Sequence, residues 1–230
     1  MDTKFLNLAI SPTKADRLFW LGRYAERAAL SLHLIRKYCN AAPDMSAAAE
    51  LAEFARRMGL TFPTDAPAGV FVKDYLYSDA LPGSLTSIMA GAKNNAMLVR
   101  NDIKSETLAY IELATNFVDS AKNADAGVFS LQAVSDYLLA FWGAVDENVL
   151  SKSVRNLLKI GRYIERLDVM IRFDYDDWRI NDVLQRLEAI DESELCLCDS
   201  ASLALLRQRA GESSIKSGDS LARINSLFAA

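Results

Sequence analysis

One six-residue motif occurs twice in the sequence, at positions far apart. Residues 22–27 read Gly-Arg-Tyr-Ala-Glu-Arg, and residues 161–166 read Gly-Arg-Tyr-Ile-Glu-Arg. The apolar residues around the two copies keep the same register, so that Leu18 corresponds to Leu157. The repeat therefore predicts two similar segments that belong to one fold and carry the same polar groups.

Apolar residues around the first copy recur every three or four positions, which is the period of one face of an α-helix. They are Leu18, Leu21, Ala25, Ala28, Leu32 and Ile35. Residues 13–16 resemble a capping box, so we predict a helix over about 13–40. With only ten glycines and five prolines, the chain favours long helices over a turn-rich sandwich. The predicted fold class is all-α, a multi-helix bundle with an internal pseudo-repeat of the motif helix.

The rest of the chain also divides into helical segments. We predict a short helix from about 46 to 59, and one long helix over about 85–122 with Ser84 as its cap. Segments 130–148 and 151–174 are predicted to be antiparallel neighbours because few residues join them. Shorter helices are predicted over about 178–190, 200–209 and 220–228.

The length and composition indicate one domain. A chain of 230 residues with 51% hydrophobic residues can bury a substantial core. We therefore predict a single domain over 1–230, with a motif-bearing core at about 13–175 and C-terminal helices at about 178–228.

Charge and patterning argue against several classes of protein. A net charge of −4 lacks the basic excess of a nucleic-acid binder. The sequence contains no run of about 18 apolar residues, so no membrane span is predicted. The first residues also lack the pattern of a signal peptide. Three cysteines, Cys39, Cys196 and Cys198, are predicted to be free thiols in a reducing compartment. These observations predict a cytoplasmic protein.

The motif places two arginines and one glutamate on adjacent turns of a helix. The residues are Arg23, Glu26, Arg27, Arg162, Glu165 and Arg166. If the two helices pack together, Glu26 could meet Arg162, and Glu165 could meet Arg23 in the same way. The second arginine of each motif would then be available for a carboxylate or phosphate of a ligand or partner. The alternative is a purely structural clasp.

The neighbouring side chains leave other assignments open. Tyr24 and Tyr163 could supply hydroxyl groups to a site or pack at the edge of the core. His33 is the only histidine, which excludes a site with two histidine ligands and leaves a single candidate base, or a hydrogen-bonded residue in or beside the core. Neither a calcium loop nor a phosphate-binding glycine loop is present, so we predict no metal and no cofactor.

Four segments, in order, resemble the signatures of the bacterial alpha-E family. Trp20–Ala28 resembles its N-terminal signature, and Asp79–Leu85 its proline-containing turn. Ala92–Arg100 resembles its central Ala-Arg-Glu-Asn-Ala-Arg helix, although Lys93, Asn94 and Met97 depart from that pattern and Arg100 keeps it. Leu158–Arg166 resembles its second signature.

The resemblance implies an all-helical cytoplasmic protein that accompanies a circularly permuted ATP-grasp ligase and assists the synthesis of peptide or amide bonds. The implied ligands are a small peptide or an amino acid. Carried to this chain, it makes Arg100 and both motifs candidate binding residues.

Three functions follow in order of preference. The first is an accessory or co-catalytic partner of such a ligase, which binds a carboxylate- or phosphate-bearing substrate, or the ligase itself. The second is a structural or oligomerisation module in which the Arg/Glu pairs are a fold clasp. The third is a stand-alone enzyme on peptides or amides, with Glu26 or Glu165 as general acid/base. The isolated chain is not expected to be an enzyme, and a homo-oligomer is left open.

Overall fold

The computed structural model describes residues 10–41, 47–62, 67–191 and 197–228. These residues form α-helices, a short 3-10 helix (Val128–Leu131) and an isolated β-bridge between Cys198 and Phe228. The all-α prediction is therefore confirmed. The helices are α1 (Pro12–Ala41), α2 (Ala47–Met58), α3 (Ala68–Tyr77), α4 (Leu85–Leu98), α5 (Arg100–Ile103), α6 (Ser105–Asn123), α7 (Gln132–Asn148), α8 (Lys152–Arg172), α9 (Asp177–Ile190), α10 (Ser200–Gly211) and α11 (Gly218–Ser226).

Hydroxyl groups cap the starts of several helices. The Ser84 side chain accepts a hydrogen bond from the Ser87 N–H at 3.1 Å, which confirms the predicted cap of α4. At α1 the prediction was displaced by two residues. The Ser11 hydroxyl, not Thr13, accepts from the Lys14 N–H at 3.3 Å, because Pro12 is suited to the first helical position.

The single helix predicted over 85–122 is wrong. The chain breaks after Leu98 and again at Lys104, whose φ of 73° lies outside the helical region. As a result, α4 and α6 pack against each other. This break was not predicted because neither glycine nor proline marks it in the sequence.

Helix α1 lies at the centre of the packing. It contacts α8 and α4 extensively, and α2 and α7 to a smaller extent. Helix α7 packs chiefly on α6, whereas α8 packs on α1 and α9. The predicted neighbours α7 and α8 contact each other through side chains, since Lys159 pairs with Asp146 and Arg162 lies over the Trp142 ring. Buried apolar residues from α1 to α11 form one cluster.

The backbones of α1 and α8 touch at the glycine that opens each motif. A Cβ atom on Gly22 would lie 2.1 Å from the Leu158 carbonyl oxygen, and one on Gly161 would lie 2.1 Å from the Phe19 carbonyl oxygen. No side chain fits in either gap. Glycine costs about 0.5–1 kcal/mol relative to alanine inside a helix, and here that cost allows the two helices to approach closely.

One described segment, Val128–Asn148, is long and apolar enough to cross a membrane. Of its most apolar window, 44% is buried inside the protein, and the core helix of a soluble protein passes the same test. This segment is therefore weak evidence for a membrane span, and the cytoplasmic location stays a prediction.

We expect Gly22→Ala and Gly161→Ala each to lower the free energy of unfolding by at least about 3 kcal/mol, because the new methyl group collides with a backbone oxygen. Gly143→Ala in α7 is the matched control. A Cβ there meets nothing within 4 Å, so this variant should be more stable by about 0.5–1 kcal/mol. Urea denaturation followed by circular dichroism measures all three. Equal stability of the Gly22 and Gly143 variants would contradict the close contact.

Candidate functional site

The contact between Gly22 and Gly161 positions the polar residues that follow each glycine. One turn beyond the glycines, Glu26 and Glu165 lie in the α1–α8 interface with side chains only 2–3% exposed. Carboxylates buried to this extent require charged or hydrogen-bonding partners. The partners come from the opposite helix in each case.

Glu165 receives both arginines of the first motif. Arg23 Nε donates to its Oε2 at 2.8 Å, and Arg27 donates from Nε to Oε1 at 2.5 Å and from Nη2 to Oε2 at 2.9 Å. Arg27 therefore makes a bidentate pair, the strongest geometry for guanidinium and carboxylate.

Glu26 receives both arginines of the second motif. Arg162 Nε donates to Oε2 at 2.9 Å, and Arg166 Nε donates to Oε1. The predicted reciprocal pairs of Glu26 with Arg162 and of Glu165 with Arg23 are confirmed. The second arginine of each motif, Arg27 or Arg166, was expected to be free for a ligand, but it also bonds to the glutamate of the opposite helix. We call these six side chains the Arg/Glu network.

Three further residues extend the network at its Glu165 end. Arg23 Nη2 donates to Asn225 Oδ1 at 3.0 Å, and Asn225 Nδ2 donates to Asp168 Oδ1 at 2.7 Å. Asp168 also accepts from Arg172 Nε at 2.7 Å. None of these three residues was predicted from the sequence. Asp168 and Arg172 follow Glu165 at helical spacing, which is a usable signal, whereas Asn225 in α11 has none.

The two ends of the network have different surroundings. At the Glu26 end, the Arg162 guanidinium lies 4.2 Å from the centre of the Trp142 ring of α7, within cation–π distance. Burial there lowers the pKa of Arg162, and the nearby Glu26 does not compensate fully. At the other end, burial likewise lowers the pKa of Arg27, but Glu165 outweighs it and the pKa lies above the ordinary value. Both guanidinium groups stay charged at neutral pH.

A cavity of about 210 Å³ borders the Glu165 end. Arg27 and Arg172 supply cationic groups to its lining, and Glu165 and Asp168 supply carboxylates. Its apolar lining comes from Met58, Leu60 and Val169. The cavity gives a small molecule access to one half of the Arg/Glu network.

The remaining predicted site residues lie beside the network or away from it. Tyr24 packs on Trp20 and against Gly91, while Tyr163 is half-buried and lies near Arg186. Arg100 is exposed on α5, and no described contact joins it to the motifs. The structure therefore brings six of the candidate residues together, with the two tyrosines as flanking groups.

His33 and the cysteines lie away from this site. His33 is exposed on α1, so the predicted place in or beside the core is wrong. His33 lies on the face of α1 just beside the stripe of buried residues. Cys39 is a free thiol, as predicted, Cys198 is buried, and Cys196 lies outside the described residues. In the part of the chain that the structure describes, no group of three His, Cys, Asp or Glu side chains could hold a metal ion.

The family comparison gives a match across most of the chain. The model of the Alpha-E family, a predicted alpha-helical domain with a conserved ER motif, matches residues 11–200. Glu-Arg occurs twice in this range, at 26–27 and 165–166, and both copies lie in the network. No curated protein and no solved structure matches the chain. The matched range ends at the start of α10, so Asn225 lies beyond it.

Glu165→Gln should lower the free energy of unfolding by about 3–5 kcal/mol, because a neutral amide leaves the buried Arg23 and the partly buried Arg27 without the carboxylate that they share. Asp182→Asn is the control. It removes the carboxylate of an exposed pair with Arg186 and should change the free energy by at most about 0.5 kcal/mol. Chemical denaturation of both variants provides the measurement. Similar small effects would mean that the network adds no more than a surface pair.

Asp168 should make the stability depend on pH in the acid range. Burial by itself raises its pKa, but the bonds from Arg172 and Asn225 outweigh burial and hold the pKa below the ordinary 3.8. The folded state therefore binds this proton less readily than the unfolded state. The stabilisation is complete above the unfolded pKa and disappears as the pH falls through the folded one. Denaturation of wild type and Asp168→Asn between about pH 6 and 3 should show a shallower acid dependence for the variant. Parallel curves would exclude this role.

Proposed function

The chain belongs to the Alpha-E family, and from this premise we propose that it is an accessory partner of an ATP-grasp ligase that forms peptide or amide bonds. In this proposal the Glu165 end of the Arg/Glu network binds a carboxylate- or phosphate-bearing substrate or the ligase itself. The resemblance of both signatures and of the proline-containing turn supports the association with a ligase. A cytoplasmic location belongs to the same proposal.

The observation that carries the binding role is the position of Arg27. Arg27 lines the cavity, and its side chain is 29% exposed although it is paired with Glu165. At this end three guanidinium groups, those of Arg23, Arg27 and Arg172, meet two carboxylates. The excess of one positive charge favours an anionic group in the cavity.

The second candidate function, a structural clasp in an oligomerisation module, also has support. Arg23 and both glutamates are almost fully buried, and the helix backbones touch beside them. Both roles are compatible, because the buried atoms hold α1 against α8 while the exposed edge of Arg27 faces the cavity. The two roles differ in what they assign to the cavity. A binding site uses the cavity to hold a ligand, whereas a structural clasp does not require it.

The third candidate, a stand-alone enzyme, has less support. General acid–base catalysis requires a carboxyl group that exchanges a proton with its substrate. Glu26 and Glu165 are each engaged by two arginine donors, and no described histidine or cysteine contacts either of them. These contacts favour a binding or structural role for the two glutamates over acid–base catalysis.

A reconstitution experiment tests the proposal. The purified chain should co-purify with a circularly permuted ATP-grasp ligase from the same genome and should increase its rate of amide formation. Arg27→Lys, which keeps the charge but loses the bidentate fork, should reduce this stimulation at least tenfold. Arg100→Ala, an exposed residue away from the network, is the control and should leave the stimulation unchanged.

Two results would count against the ligase partnership. The first is the absence of both complex formation and rate change with the wild-type chain. The second is a stimulation by Arg27→Lys that falls only in proportion to the folded fraction measured by circular dichroism. The second result would leave the clasp as the role of the motif.

A further inference from the structure

The cavity at the Glu165 end has the size of one small metabolite. Its volume of about 210 Å³ is well above the roughly 10–15 Å³ that a single water molecule needs, so the cavity has room for a small organic molecule. The chemistry of the lining determines which molecules of this size fit.

Arg27 offers the cavity an unused pair of donors. Its Nε and Nη2 atoms donate to Glu165, whereas Nη1 donates to no group in the described part of the chain. A guanidinium group has five N–H donors, so the two on Nη1 are free for a ligand. A ligand carboxylate is the acceptor that best suits this edge of the fork.

The two carboxylates of the lining keep unused acceptor positions. Glu165 and Asp168 each accept three of the described hydrogen bonds, and an ionised carboxylate has about four acceptor sites. The two residues are three positions apart on α8 and therefore lie on the same face. An ammonium group, which has three donors, could bond to both at once.

A ligand with both charges suits this site better than a ligand with one. Each of its charged groups finds an opposite partner in the lining, which contains two arginines and two acidic residues. Met58, Leu60 and Val169 leave an apolar surface for the rest of the molecule.

We propose that this cavity binds a free α-amino acid with an apolar side chain. Its carboxylate bonds to Arg27 Nη1, its ammonium group to Glu165 and Asp168, and its side chain packs on Leu60 and the neighbouring apolar residues. The inference rests on the proposed function, since it assigns the ligand of the same end of the network.

Isothermal titration calorimetry of the full chain tests the proposal with three probes. They are L-valine, isovalerate, which lacks the amino group, and isobutylamine, which lacks the carboxylate. L-valine should bind saturably, and each of the other two should bind at least tenfold more weakly. Equal affinity for L-valine and isovalerate would overturn the amino-acid assignment, and so would an absence of saturable binding by all three probes.

A pair of equivalent arginines provides the matched control. Arg27 and Arg166 occupy the same motif position and each bonds to the opposite glutamate, but only Arg27 lines this cavity. Arg27→Lys should weaken L-valine binding at least tenfold, whereas Arg166→Lys should bind as the wild type does. Equal effects of the two substitutions would overturn the proposal.

A variant outside the network covers the case in which Arg27→Lys does not fold. Leu60 lines the cavity and takes part in no described ion pair, so Leu60→Trp should fill the cavity and abolish L-valine binding in a chain whose circular dichroism spectrum shows that it is folded. Unchanged binding in this variant would overturn the proposal.

The ligase experiment distinguishes failure of the amino-acid assignment from failure of the ligase partnership. Complex formation with the ligase in the absence of L-valine binding would reject only the amino-acid assignment. Saturable L-valine binding without any effect on the ligase would reject the partnership and leave the assignment standing.

Discussion

The rest of the site depends on the direct contact between the backbones of α1 and α8. Gly22 and Gly161 remove the side chains that would otherwise separate the two helices. Only at this short distance can an arginine of one helix reach the glutamate of the other with its Nε atom, as Arg23 and Arg162 both do. The glycine and the charged residues of each motif therefore form one functional unit. The glycine sets the distance, and the ion pairs stabilise it.

Burial of these ion pairs costs free energy, because the charged groups lose their hydration. Two charges removed from water must recover the lost hydration from each other and from added hydrogen bonds. Asn225 contributes here, because it bonds to Arg23 and Asp168 at the same time. This residue lies in α11, beyond the range that the family model matches. The C-terminal helices thus complete the electrostatic environment of the motif, in addition to covering the apolar core.

The sequence predicted the central tertiary contact of this site, but it did not predict one local break in the backbone or two of the residues that surround the motif. A repeated motif with constant spacing was enough to predict that Glu165 meets Arg23. The break at Lys104 was missed because a lysine there gives no sign of a positive φ. Trp142 and Asn225 were missed because only the folded chain brings them to the site. The exposure of His33 depends on a helical rotation of a few tens of degrees, which an apolar stripe does not define.

The pairing of α1 with α8 also has a consequence for synthesis of the chain. About 110 residues separate the end of α1 from the start of α8. At about 5–20 residues per second, the ribosome needs roughly 5–20 s to produce the partner of the first helix. During this interval α8 is not present to cover the apolar stripe of α1, and Glu26 lacks its partners Arg162 and Arg166. The nascent first helix is therefore a natural substrate for chaperones until the eighth emerges.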